Sequence, residues 1–145
     1  MAVATEVRFY VNLADRLGYA CRLLRKAQGM GTPVVVTGEP PDLAALDQAL
    51  WTFAPHDFVP HAVLGVAPSP VVARSSIVLA AHPLAAEPRA LLVNLGGAVP
   101  EGFDQFGRLF ELVSADAADL AAARDRWKHY KAQGHGVEKH DVLAS

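Results

Sequence analysis

The apolar and polar positions of the chain fall into short blocks of two alternating kinds. Residues Glu6 to Leu13 (EVRFYVNL) are rich in β-branched and aromatic types and predict a strand. Asp15 then caps a helix running to about Gln28, with Leu17, Cys21 and Leu24 at helical spacing and Gly29-Met30-Gly31 ending it. Pro33 to Thr37 is a short continuous apolar run, the pattern of a strand buried on both faces. Pro40-Pro41-Asp42 opens a second helix whose buried side carries Leu43, Leu46 and Leu50. The stretch Ala54 to Pro70, broken by Pro55, Pro60, Pro68 and Pro70, predicts a loop. Ser76–Ala81 and Ala90–Leu95 are two more buried strands, followed by a Gly96-Gly97 turn, a short helical piece from Phe103 to Phe106 and a last strand from Leu109 to Val113. Asp116 to Gln133 is a long final helix, opened by Ser114 or Asp116 and closed by Gly134. Strands alternating with helices predict one α/β domain over residues 1–134, a three-layer Rossmann-like sandwich around a mostly parallel sheet. Residues 135–145 read as a flexible tail.

Composition narrows the classes. A chain of 145 residues, 52% hydrophobic and 19% charged, buries a sufficient core without staples. Its formal net charge of −2 argues against coating nucleic acid through an overall field, so any basic site is local. One cysteine, Cys21, excludes an internal disulfide framework and suits a reducing compartment. No basic start precedes an apolar run with a small-residue cleavage site, and the apolar stretches are too short to span a bilayer. The expectation is a soluble, cytoplasmic protein with no membrane contact.

A Rossmann-like pattern invites a search for phosphate loops and active-site residues. Neither G-x-x-x-x-G-K-[ST] nor a G-x-G-x-x-G after the first strand is present. Asn94-Leu95-Gly96-Gly97 follows a strand and could present backbone N–H groups to an anion, although a tight turn is the plainer reading. The six histidines form no H-x-x-x-H, and a lone cysteine cannot build a thiolate cluster, so no metal is expected. Cys21 lies on an apolar helical face, and Ser75-Ser76 lacks a nucleophile elbow. No catalytic residue and no cofactor are assigned.

Two patches stand out. In RDRWKHYK, Arg124 to Lys131, the local net charge is +3. At about 100° per residue, Arg124, Trp127, Lys128 and Lys131 share an arc of roughly 100°, a stripe of cations beside an indole. Leu120, Ala123 and Tyr130 are left for the core. Such a stripe is either a solvated face or a grip for an acidic, aromatic-bearing peptide. In the second patch, Leu50 to His61, Trp51, Phe53 and Phe58 crowd into eight residues with Pro55 and Pro60. Large aromatics there either cap the core or anchor a partner.

Asp42 to His61, DLAALDQALWTFAPHDFVPH, strongly resembles the signature region of the chi subunit of bacterial DNA polymerase III, with its Leu-Asp-x-x-Leu-Trp and Phe-Val-Pro-His elements. The ending ARDRWKHYKAQGH resembles that family's basic-aromatic terminal helix. The resemblance covers nearly the whole chain. It implies a non-catalytic clamp-loader accessory subunit in the nucleoid-associated replisome that meets DNA only indirectly. One surface would hold the psi subunit, mapping here to Trp51 and Phe58. Another would bind the acidic C-terminal tail of single-stranded-DNA-binding protein, mapping to Arg124, Trp127, Lys128 and Lys131. Trp127 stands where the family pattern has Tyr. The competing readings are a small Rossmann-like nucleotide-binding enzyme using the Gly96-Gly97 turn and a direct nucleic-acid binder using the last helix.

Overall fold

The computed structural model describes residues 5–52, 60–64, 75–83 and 90–142. Seven strands form one sheet: β1 (Glu6–Leu13), β2 (Val34–Thr37), β3 (Ala62–Val63), β4 (Ile77–Leu79), β5 (Leu91–Asn94), β6 (Arg108–Ser114) and β7 (Gly136–Asp141). Their spatial order is β3-β4-β2-β5-β6-β1-β7, and every pairing is parallel. The central strands β2, β4 and β5 are buried at every position, which is why they read as unbroken apolar runs. Toward the edge, β1 alternates buried and open residues because only one of its faces is fully covered.

Two helices cover one face of the sheet. α1 (Arg16–Gly29) begins where the Gly18 N–H donates to Asp15 Oδ1 at 2.9 Å. It buries Ala20, Cys21, Leu24 and Ala27. α2 (Pro40–Thr52) buries Leu43, Leu46 and Leu50, and all seven side chains join Val34, Val36, Leu91 and Val93 in one core cluster. Burial pushes the Cys21 thiol up, which keeps it protonated and inert. On the other face lies α3 (Ala117–Ala132), opened by Asp116, whose carboxylate accepts from the Ala118 and Asp119 N–H groups. Ala123 and Tyr130 pack there with Val7, Phe9, Leu92 and Leu109. The result is the three-layer α/β sandwich.

The C-terminal segment differs from its expectation. The sequence predicts a flexible tail over residues 135–145; in the structure Gly136–Asp141 is a strand, in register with β1 from Glu6↔Gly136 to Val11↔Asp141. The Thr5 N–H donates to His135 Nδ1 at 3.0 Å, and the Asn12 amide donates to Asp141 at 2.9 Å. The segment GVEKHD lacks an apolar rhythm because an edge strand gains its order from backbone pairing, and charged side chains suit an exposed edge. Ala62–Val63, inside the stretch expected to be loop, adds the short strand at the opposite edge.

Near the β7 edge, Asn12 adopts a left-handed backbone (φ 61°), a conformation Asn tolerates. The β1–β6 register shifts between Tyr10 and Leu13, so the strand bulges at the mouth of the site described next.

Candidate functional site

Between α3 and the β1–β7 edge runs a groove of about 570 Å³. Its apolar wall is Phe9 and Val11 from β1 with Leu120 and Trp127 from α3, and the Phe9 and Trp127 ring centroids lie 5.3 Å apart. Arg124 and Lys128 flank it from the helix, and Lys139 reaches it from β7. Asp141, held by Asn12, is the acid among the lining residues. Arg124, Lys128 and Lys139 are exposed, while Trp127 is half-buried.

Three of the four residues expected on the stripe, Arg124, Trp127 and Lys128, therefore line one groove. Lys131 stands outside the lining, its Nζ 5.8 Å from the centre of the Trp127 ring, where a cation–π contact steadies the indole. Leu120, assigned to the core, is half-buried and lines the groove instead. Lys139 carries no sequence signal because its segment has the composition of a tail, and Phe9 carries none because one face of β1 has the pattern of ordinary core.

The inward face of α3 carries a network that charge counting overlooked. Arg126, one of the cations behind the local charge of +3, turns into the protein and pairs with Glu111 at 3.1 Å; both side chains are at least 95% buried. The Arg126 Nη1 also donates to the Gly97 carbonyl at 2.9 Å. Tyr130 donates its hydroxyl to the same Glu111 oxygen, and the Asn94 amide donates to the other at 2.9 Å. Burial pushes the Glu111 carboxyl up, while Arg126, Tyr130 and Asn94 pull it back down. Burial beside Glu111 also pushes the Tyr130 phenol up. Among the described residues, no buried side-chain polar atom lacks a hydrogen-bond partner.

Sheets of this type commonly take ligands at the carboxyl ends of neighbouring strands, where this network contributes Asn94, at the end of β5, and the Gly97 carbonyl. The crevice beside β2 and β5 measures about 220 Å³ and includes Glu39 and Glu101 in its lining. That is below the usual ligand-pocket range of roughly 300–1,000 Å³, and its carboxylates repel phosphate. The Gly96 N–H is already donated to Asn94 Oδ1 at 2.8 Å, so Gly96-Gly97 is an internally braced turn. Among the described residues, no group of three or more His, Cys, Asp or Glu is placed to hold a metal ion, and no helix is long and apolar enough to cross a membrane.

At the far end of α2, Trp51 is 59% exposed. Its ring stands edge-on to His61 at 5.6 Å, and His61 Nε2 lies 2.7 Å from Asp47 Oδ1. The neighbouring Leu50 is sealed in the core, so the helix directs adjacent side chains to opposite fates. Phe53 and Phe58 lie outside the described residues.

The family model described as DNA polymerase III chi subunit, HolC, matches residues 4–138. The chain belongs to the DNA polymerase III chi subunit family. Among its chi relatives is the DNA polymerase III subunit chi of Pseudomonas aeruginosa, 32% identical over 141 residues that cover 94% of this chain and 96% of that protein. The DNA polymerase III subunit chi of Haemophilus influenzae is 30% identical over 131 residues, covering 85% of each chain. A solved structure, the C-terminal domain of the DEAD-box protein Dbp5, superposes with a TM-score of 0.59 at 12% identity. It covers 97% of this chain and 91% of its own, a likeness that is one of fold alone. Membership in the chi family makes this an accessory subunit of a DNA polymerase III holoenzyme, a replication protein whose setting is an assembly of other proteins.

Proposed function

We propose that the chain is a non-catalytic, cytoplasmic adaptor that bridges the psi subunit of the clamp loader and the acidic C-terminal tail of single-stranded-DNA-binding protein. The carrying observation is the groove on α3, where Arg124, Lys128 and Lys139 surround an apolar wall of Phe9, Val11 and Trp127. An acidic chain end with a terminal Phe matches that arrangement: its carboxylates meet the cations and its ring meets the wall. Trp127 in place of Tyr keeps the apolar surface and replaces a hydroxyl with an indole N–H. Each exposed ion pair adds about 1 kcal/mol or less, so binding is modest, salt-sensitive and dependent on the aromatic anchor. Several tails on one partner compensate by avidity.

The psi-facing surface in this reading is Trp51 together with Phe58. α2 and α3 pack on opposite faces of the sheet, so Trp51 and the groove are separated by the body of the protein. That separation lets two partners bind at once. Large exposed indoles are frequent interface anchors.

Fluorescence anisotropy with a labelled peptide ending in acidic residues and Phe tests the first contact. Affinity should fall at least about tenfold on Lys128→Glu and on removal of the terminal Phe. Unchanged affinity in both cases would sink the reading. Trp51→Ala should break co-purification with psi while leaving the peptide affinity intact; loss of both, with loss of fold, would make Trp51 structural.

A further inference from the structure

A second cationic surface lies on the sheet face opposite α3. The side chains of β1, β6 and β7 alternate, so while Phe9, Glu111 and Lys139 face α3, the next positions face the other way. There the sheet displays Arg8, Tyr10, Arg108 and Phe110, and α1 borders them with Tyr19, Arg22 and Lys26 around a groove of about 370 Å³. All four cations are exposed and the three rings are half-buried.

The rings form a connected floor. Tyr10 lies 5.3 Å from Phe110, 5.6 Å from Tyr19 and 5.7 Å from His140, centroid to centroid. Guanidinium groups lie over two of these rings: Arg8 and Arg108 stand 5.9 and 5.8 Å from the Phe110 centroid, and Arg22 stands 5.8 Å from that of Tyr19. The acids of this face are Glu6 and Glu138. Glu138 reaches Arg8 at 3.5 Å, a pair open to solvent. No carboxylate of the described residues pairs with Arg22, Lys26 or Arg108. Four cations are thus gathered on one face of a chain whose formal net charge is −2.

We propose that this face binds single-stranded DNA directly, in addition to the indirect contact that the family resemblance implies, and independently of the peptide groove across the sheet. An open sheet displaying aromatic rings, bordered by Arg and Lys, is the chemistry by which unpaired bases are stacked while their phosphates are gripped. The row of rings favours a nucleic acid over an acidic peptide, because successive bases present π faces to successive rings and guanidinium planes. Membership in a DNA polymerase subunit family makes the strand DNA. Contacts of this kind are independent of base sequence and weaken steeply with salt.

The test is the anisotropy of a fluorescent oligothymidylate titrated with the full chain at low salt. Binding should weaken at least about tenfold in Arg22→Glu/Lys26→Glu, whose positions are exposed on α1 and leave the core untouched. The slope of log affinity against log salt should flatten by about 0.7 per cation removed. Lys128→Glu, on the opposite face, should leave oligothymidylate affinity unchanged even where it abolishes peptide binding. Three results overturn the proposal: no oligothymidylate binding by the unaltered chain, equal affinity in the double variant, or displacement of the oligonucleotide from this face by an acidic peptide that binds it more tightly.

Discussion

The two sides of α3 use the same chemical vocabulary and reach opposite ends. Outward, Arg124 and Lys128 flank an indole that Lys131 steadies, and they keep their charges open to another molecule. Inward, Arg126 and Tyr130 converge on Glu111, and Arg126 also donates to the Gly97 carbonyl. Arg124 and Arg126 are two residues apart, yet the helical turn rotates one away from the other by about 200°. A cation is therefore defined by its partner and its burial before its position in a charged run. Removing a buried partner strands a charge in low dielectric, whereas removing an exposed one returns a side chain to water.

The largest effect follows from breaking the inward side. Arg126→Ala should cost about 3–5 kcal/mol in urea denaturation, because Glu111 is left buried without its cation. It should also carry a pH signature. Burial already raises the Glu111 carboxyl above its ordinary value of 4.5 although Arg126 opposes the rise, so in the variant the rise should be larger, and the unfolded chain has none. The folded state then binds the extra proton, so the variant is most stable below that value and loses stability as pH rises through the raised one. A variant equally unstable at all pH values would refute the buried-charge account.

Tyr130→Phe should come next. Loss of a hydrogen bond to a charged group costs about 1.5–3 kcal/mol at neutral pH. Because the native phenol stays protonated where the unfolded one ionises, the parent protein should lose stability as pH rises above the ordinary tyrosine value of 10.0. In Tyr130→Phe that alkaline decline should be shallower, as read from denaturation midpoints on either side of that pH.

The smallest effect belongs to the outward side. Lys139→Ala should leave folding stability unchanged within error and weaken the acidic peptide by up to about fivefold, less at high salt. A strong loss of stability would show that β7 depends on this side chain and blur the contrast between the two faces.

Most of the fold was legible because its central strands are buried on both sides and its helices carry clean apolar stripes. The outward stripe on α3 was legible for the same reason: helical angle alone assembles Arg124, Trp127 and Lys128. What escaped depends on pairing across distance. Glu111 sits within the apolar run LFELV, and Arg126 falls on the same helical face as Ala123 and Tyr130. Each is anomalous alone, and only their joint burial explains either. The strand β7 escaped because backbone pairing at a polar edge leaves no side-chain rhythm. Whether Trp51 was core or surface could not be read from its neighbours, since it adjoins Leu50 at the margin of the α2 stripe.

That final strand has a consequence for how much error the molecule can tolerate. Lys139 and Asp141 stand on one side of β7, with Glu138 and His140 on the other. A slip of a single residue against β1 would swap them, carrying the Lys139 cation out of one groove and setting Glu138 or His140 in its place. The clasps at either end, Thr5 to His135 and Asn12 to Asp141, fix the alignment that keeps both surfaces correct.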